Sequence, residues 1–120
     1  MSDTQDEILF QKIDSLMDQK KIFLTPKLKA ENLAHEIGIG YQRLAKVLNK
    51  HAKTNFDSYV NHYRLKYACE LILQDKSGKT PISRIARQAG FGSKSTFYEV
   101  SKKFTGQSPA NFQSAAMFKQ

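Results

Sequence analysis

The sequence predicts an all-α fold of about seven helices, arranged as two similar halves joined by one long helix. Three observations predict it. Apolar residues recur at spacings of three and four along most of the 120-residue chain, the period of a helix with one buried face. Runs that alternate apolar and polar residues, the mark of a half-buried strand, are almost missing. One pattern also occurs twice, about 52 residues apart: Leu33-Ala34 followed by Gly38-Ile39-Gly40, then Ile85-Ala86 followed by Gly90-Phe91-Gly92. With one extra residue in the second turn, Leu44 corresponds to Phe97, Val47 to Val100 and Tyr59 to Phe112.

Each element has its own justification. Ile8, Leu9, Ile13, Leu16 and Met17 make residues 1–22 an amphipathic, acidic leading helix that packs on, or leads into, the first half. LTPKLK is a connector, and AENLAHEIG is a short helix closed by Gly38. GYQRLAKVLNKHA follows, with Leu44, Val47 and Leu48 on one side. The longest pattern runs from about Phe56 to Gln74, through Tyr59, Val60, Tyr63, Ala68, Leu71 and Ile72. DKSGK is a polar loop. Thr80-Pro81 reads as an N-cap followed by proline at the first helical position, opening the helix ISRIARQA. SKSTFYEVSKKF starts at the natural cap Ser93, and Ser108-Pro109 opens a last helix, ANFQSAAMF. The expected divisions are residues 1–22, a first subdomain at 23–55, a linker helix at 56–75 and a second subdomain at 76–120.

Glycine just beyond a helix takes the left-handed conformation that closes it, and Gly38 and Gly90 sit where that is needed. The next apolar residue, Ile39 or Phe91, can fold back on the preceding helix. Gly40 or Ser93 then caps a second helix at a large angle, with Gly92 completing the second turn. Each corner is therefore a helix-turn-helix, whose second helix is projected outward at a size that fits the major groove of DNA.

Charge narrows the partners. The formal net charge is +8, unevenly placed. Residues 1–18 carry five acids and one base (−4), and the remainder carries 18 bases and six acids (+12). A basic body behind an acidic leader suits a polyanion, with the leader turned away from it. No run of about 18 apolar residues spans a membrane, and no basic-then-apolar signal opens the chain. The single Cys69 forms no internal disulfide and reads as core packing, so a cytoplasmic setting is expected. His35, His51 and His62 are scattered, with no acid partner at catalytic or metal-ligand spacing. No enzyme activity, metal or cofactor is expected.

ISRIARQAGFGSKSTFYEVSKKFTGQSPANF resembles the second helix-turn-helix of AraC/XylS-type transcription regulators, through GF-x-S-x-S-x-F and G-x-S-P. NLAHEIGIGYQRLAKVLNKHAKTNFDSYVNHYRLKYACELIL resembles the first motif and the linker helix, so the likeness covers roughly residues 24–113. The wording LNKHAKTNFDSYVNHYRL is similar to a branch often found at the C-terminal end of larger, sometimes membrane-linked sensors, which implies an excised or stand-alone DNA-binding domain. The resemblance implies double-stranded DNA as partner and a role in transcription regulation, as an activator or a repressor. It also implies RNA polymerase and a sensor or dimerisation domain outside these residues as further partners.

By position, the resemblance assigns base reading to Gln42, Arg43 and Lys46, with Tyr41, on the first recognition helix. On the second it assigns Lys94, Ser95, Thr96 and Glu99, with Tyr98. Gln suits adenine, Lys and Arg suit guanine, and Glu accepts from cytosine. Two alternatives stay open: Glu99 as a surface partner of Lys102 or Lys103, and Tyr41 packed over the turn. Lys50, Lys102 and Lys103 lie further along, placed for phosphates, and Ser93 with the capping amides suits a phosphate at the helix N-terminus. Arg64 matches the family's linker-helix arginine, a structural residue, and Lys66 faces either DNA or solvent. Three positions depart from the family: Ser101 stands where phenylalanine is usual, Lys53 where glycine is common, and Gly40 where a Ser or Thr cap is usual.

A linker helix of 19 residues would span about 28 Å. That would suit two recognition helices in successive major grooves, about 34 Å apart. A helical protein-interaction module with only non-specific DNA affinity is the alternative.

Overall fold

The computed structural model describes residues 3–118. The outermost residues of the expected first and last segments lie outside that range. Among the described residues the chain is all-helical: α1 (Asp3–Asp18), a 3-10 turn (Ile22–Leu24), α2 (Ala30–Ile37), α3 (Tyr41–Ala52), α4 (Phe56–Gln74), α5 (Ile82–Gln88), α6 (Lys94–Thr105) and α7 (Pro109–Phe118). The chain forms two compact units that divide between Val60 and Asn61, inside α4.

In the first unit, α1 and α2 pack on α3. Ile13 and Met17 of α1 are fully buried, as are Leu33 of α2 and Leu44 and Leu48 of α3. Ile8, expected on the apolar face of α1, is instead 61% exposed. At about 100° per residue, Ile8 lies on the opposite side of α1 from Ile13 and Met17, five and nine residues on. The Tyr59 hydroxyl donates to Asp14 Oδ1 at 2.8 Å, and the Phe10 ring stacks on His51 with centroids 5.6 Å apart. These contacts fix α1 to the unit.

In the second unit, α5 and α7 pack on α6. Leu65, Ala68 and Ile72 of α4 join Ile85, Phe97 and Val100 in one buried cluster, with Cys69 partly buried against it. Phe91 stacks on Phe97, with ring centroids 5.0 Å apart. Gln113 Nε2 donates to the Thr80 carbonyl at 2.9 Å and ties α7 to the start of α5.

The start of α5 differs by one residue from expectation. Pro81 is extended and serves as N-cap (φ −59°, ψ 141°), so the helix begins at Ile82. The Thr80 amide is engaged elsewhere, donating to Asp75 Oδ2 at 3.0 Å. Asp75 Oδ1 accepts from the Ser77 amide and hydroxyl, at 3.2 and 2.7 Å. The Thr80 and Ser77 donors hold the Asp75 carboxyl down at about 2, well below its ordinary 3.8.

Candidate nucleic-acid interface

Both corners close with the same backbone bonds. The Gly38 amide donates to the His35 carbonyl at 3.2 Å and the Ile39 amide to Ala34 at 3.0 Å. At the matching positions, Gly90 donates to Arg87 at 3.1 Å and Phe91 to Ala86 at 2.9 Å. Gly38 and Gly90 are left-handed, with φ of 76° and 91°. A side chain there would crowd the following carbonyl, which favours glycine by about 1–2 kcal/mol. The other two turn glycines differ: Gly40 has φ −78°, Gly92 is not left-handed, and a Cβ on either would meet nothing within 4 Å.

The closure leaves α3 and α6 each with one buried and one exposed face. On α3, Leu44, Val47 and Leu48 face the core, while Gln42, Ala45, Lys46 and Asn49 are exposed at spacings of three and four. Tyr41 is 52% exposed at the first position. Lys50 is exposed one position beyond that stripe. Arg43 does not join it: the side chain is half-buried, with Nη2 3.5 Å from Asp6 Oδ1 of α1.

On α6, Phe97, Val100 and Ser101 are buried. Lys94, Ser95, Glu99, Lys102 and Lys103 are exposed, with Thr96 and Tyr98 half-buried. Lys94 Nζ lies 5.7 Å from the centre of the Tyr98 ring, a cation–π distance that pairs these two side chains. Lys94, Ser95, Tyr98 and Glu99 line one shallow concavity. The Ser93 hydroxyl accepts from the Thr96 amide at 3.1 Å, so the cap is built as the sequence indicates. The remaining amides of the first turn lack intrahelical partners and stay available to an anion.

Ala45 and Asn49 are exposed on α3 but lie outside the positions that the resemblance assigns to base reading. The helical period starting at Gln42 reaches both, so the signal was there. Arg64 of α4 is half-buried and Lys66 exposed. His35 is exposed, His51 is stacked on Phe10 with its Nε2 buried and without a hydrogen-bond partner among the described residues, and His62 meets the Phe104 ring edge-on at 6.1 Å. Burial, and then Glu70, pushes the Cys69 thiol upward, away from a reactive thiolate. Among the described residues no cluster of His, Cys, Asp and Glu could hold a metal ion, and no helix is long and apolar enough to cross a membrane.

A family model described as a helix-turn-helix domain matches residues 33–115. Among solved structures, the chain is similar to a protein of unknown function from Listeria innocua, at 26% identity and TM-score 0.75, over 88% of this chain and 95% of that one. It is similar to the C-terminal domain of AraT, a response regulator from Geobacillus stearothermophilus, at 25% identity and TM-score 0.70, over 79% and 76%. The fold is also that of an AraC-type transcriptional regulator from Chromobacterium violaceum, at 20% identity and TM-score 0.66, over 74% and 77%. No curated protein matches the chain.

Proposed function

The chain belongs to the AraC-type helix-turn-helix family, whose members are DNA-binding transcription regulators rather than enzymes, and from that premise we propose that it reads double-stranded DNA by sequence. In this reading α3 and α6 enter successive major grooves, and one chain recognises two adjacent half-sites of unlike sequence. One observation carries it: each helix buries one face against its own unit and leaves a row of polar side chains at helical spacing on the other. Gln42 and Lys46 head the row on α3, and Asn49 extends it as an adenine reader. Ser95 and Glu99 form the row on α6, with Lys94 and the half-buried Thr96 beside it as further base readers. Lys50, Lys102 and Lys103 hold phosphates, adding affinity without sequence information. The two rows differ in chemistry, which favours unlike half-sites over a palindrome. The setting is the cytoplasm.

Selection of bound sequences from a random DNA pool tests this reading. An enriched, asymmetric site is the expected result. Enrichment of nothing would favour a protein-interaction module that holds DNA only through charge. Once a site is in hand, Lys46→Ala lowers specific binding by about 1–3 kcal/mol if Lys46 reads a base. Competition binding at fixed salt checks it, and an equal loss on random DNA would make Lys46 a phosphate contact.

A further inference from the structure

Arg43 stands among the α3 residues with which the family reads bases, yet its side chain leaves the exposed row and turns to α1. We propose that Asp6 is a built-in electrostatic restraint on Arg43, which lowers the positive charge that α3 offers to DNA. The inference rests on the DNA-reading function proposed above and deepens it.

Three contacts make Asp6 a fixed feature of the first unit. Ile13 and Met17 are fully buried. Asp14 accepts from the Tyr59 hydroxyl at 2.8 Å. Phe10, one turn after Asp6, stacks on His51 near the end of α3. A helix so anchored holds Asp6 beside the first turn of α3, where Asp6 Oδ1 lies 3.5 Å from Arg43 Nη2. The pair is partly open to solvent, at 40% exposure for the Arg43 side chain and 24% for Asp6. Such pairs are weak, so a phosphate could compete for the guanidinium but would first have to displace the carboxylate. Ile39 and Arg43 line a shallow concavity together with Gln5, Ile8, Leu9 and Lys12 of α1, which places the acidic helix at the flank of the reading surface. Gln42, Lys46 and Asn49 stay free of it and carry the sequence preference.

The test uses the full chain on a DNA site selected from a random pool, titrated by fluorescence anisotropy over a range of salt. Asp6→Asn should tighten binding to both the selected site and random DNA by roughly two- to fivefold. It should also steepen the slope of log affinity against log salt by about 0.9, one added phosphate contact. Arg43→Ala in the Asp6→Asn background should abolish the gain. Glu7→Gln, which removes the same charge from an exposed neighbour on α1, should give a smaller gain that does not depend on Arg43. Asp6→Ser repeats the test without an amide, and unchanged thermal melting shows that either variant is folded. The proposal is overturned if Asp6→Asn changes nothing, or if its gain survives Arg43→Ala. It is also overturned if only the selected site loses affinity, because Asp6 would then be aiming Arg43 at a base. Failure of the DNA-reading function appears separately, as an absence of enrichment with the unaltered chain.

Discussion

Gly38 and Ile39 close the first corner and Gly90 and Phe91 close the second, with bonds to matching carbonyls, but the helices that follow are finished differently. α3 begins at Gly40, which offers no side chain to its first turn, and ends at Lys53, held left-handed at φ 59°. α6 begins at Ser93, whose hydroxyl accepts from the Thr96 amide, and ends at Gly106, left-handed at φ 75°. The Ser101 hydroxyl donates to the Gln107 carbonyl at 2.7 Å from a buried position, and Thr105 Oγ1 donates to the Ser101 carbonyl at 2.7 Å. So where the family usually packs a ring, this chain uses a hydroxyl to tie α6 to the turn before α7. The second helix adds a side-chain cap and a hydroxyl tie to its packing against α5 and α7. The first has no side-chain cap and relies on packing against α1 and α2, including the Phe10–His51 stack. A duplicated motif can keep its backbone geometry while its helix ends are finished by different means.

The comparison breaks most completely in the core. Phe97→Ala removes a ring that is 1% exposed and stacked on Phe91, and should cost about 3–5 kcal/mol. Leu44→Ala, at the matching place in the first half, should cost about 2–5 kcal/mol. Urea unfolding checks both. If the two losses came out small, the buried faces of α3 and α6 would not be what holds these helices in place.

The caps are the next difference to probe. Ser93→Ala should cost about 1 kcal/mol of stability, because the Thr96 amide loses its acceptor. Lys53→Gly should gain up to about 1 kcal/mol by relieving a left-handed lysine, an effect with no counterpart at Gly106. Gly40→Ser should gain only a few tenths of a kcal/mol, in open space and at a permitted φ. Thermal melting of the three variants sharpens the comparison. Should Gly40→Ser equal Ser93→Ala in size, the first helix would depend on its cap as much as the second does.

Much of this was legible in sequence, for reasons that differ by element. The bounds of α4, Phe56–Gln74, follow from an apolar period sustained over 19 residues. The corners follow from glycine at positions that demand a left-handed residue. The Asp14–Tyr59 bond and the Asp6–Arg43 pair did not follow, since their partners stand 45 and 37 residues apart and single polar residues carry no period. Ser101 could be recognised as a departure, but its partner is a backbone carbonyl, and carbonyls leave no mark in a sequence. The exposed row on α3 was half legible: the resemblance supplied Gln42 and Lys46, and periodicity alone would have supplied Ala45 and Asn49.

A pH-dependent effect isolates the loop that precedes the second corner, which has no equivalent in the first. Asp75 accepts from Ser77 and Thr80 as a carboxylate, and its pKa is held at about 2 against an ordinary 3.8. A carboxyl depressed on folding adds stability above its unfolded value and loses it as pH falls through the folded one. Asp75→Asn should therefore melt lower than the unaltered chain by a constant margin above about pH 4, with the margin closing as pH approaches 2. Melting curves at several pH values decide it. A margin that persists at pH 2 would mean that Asp75 acts by shape alone, with the amides of Ser77 and Thr80 indifferent to its charge.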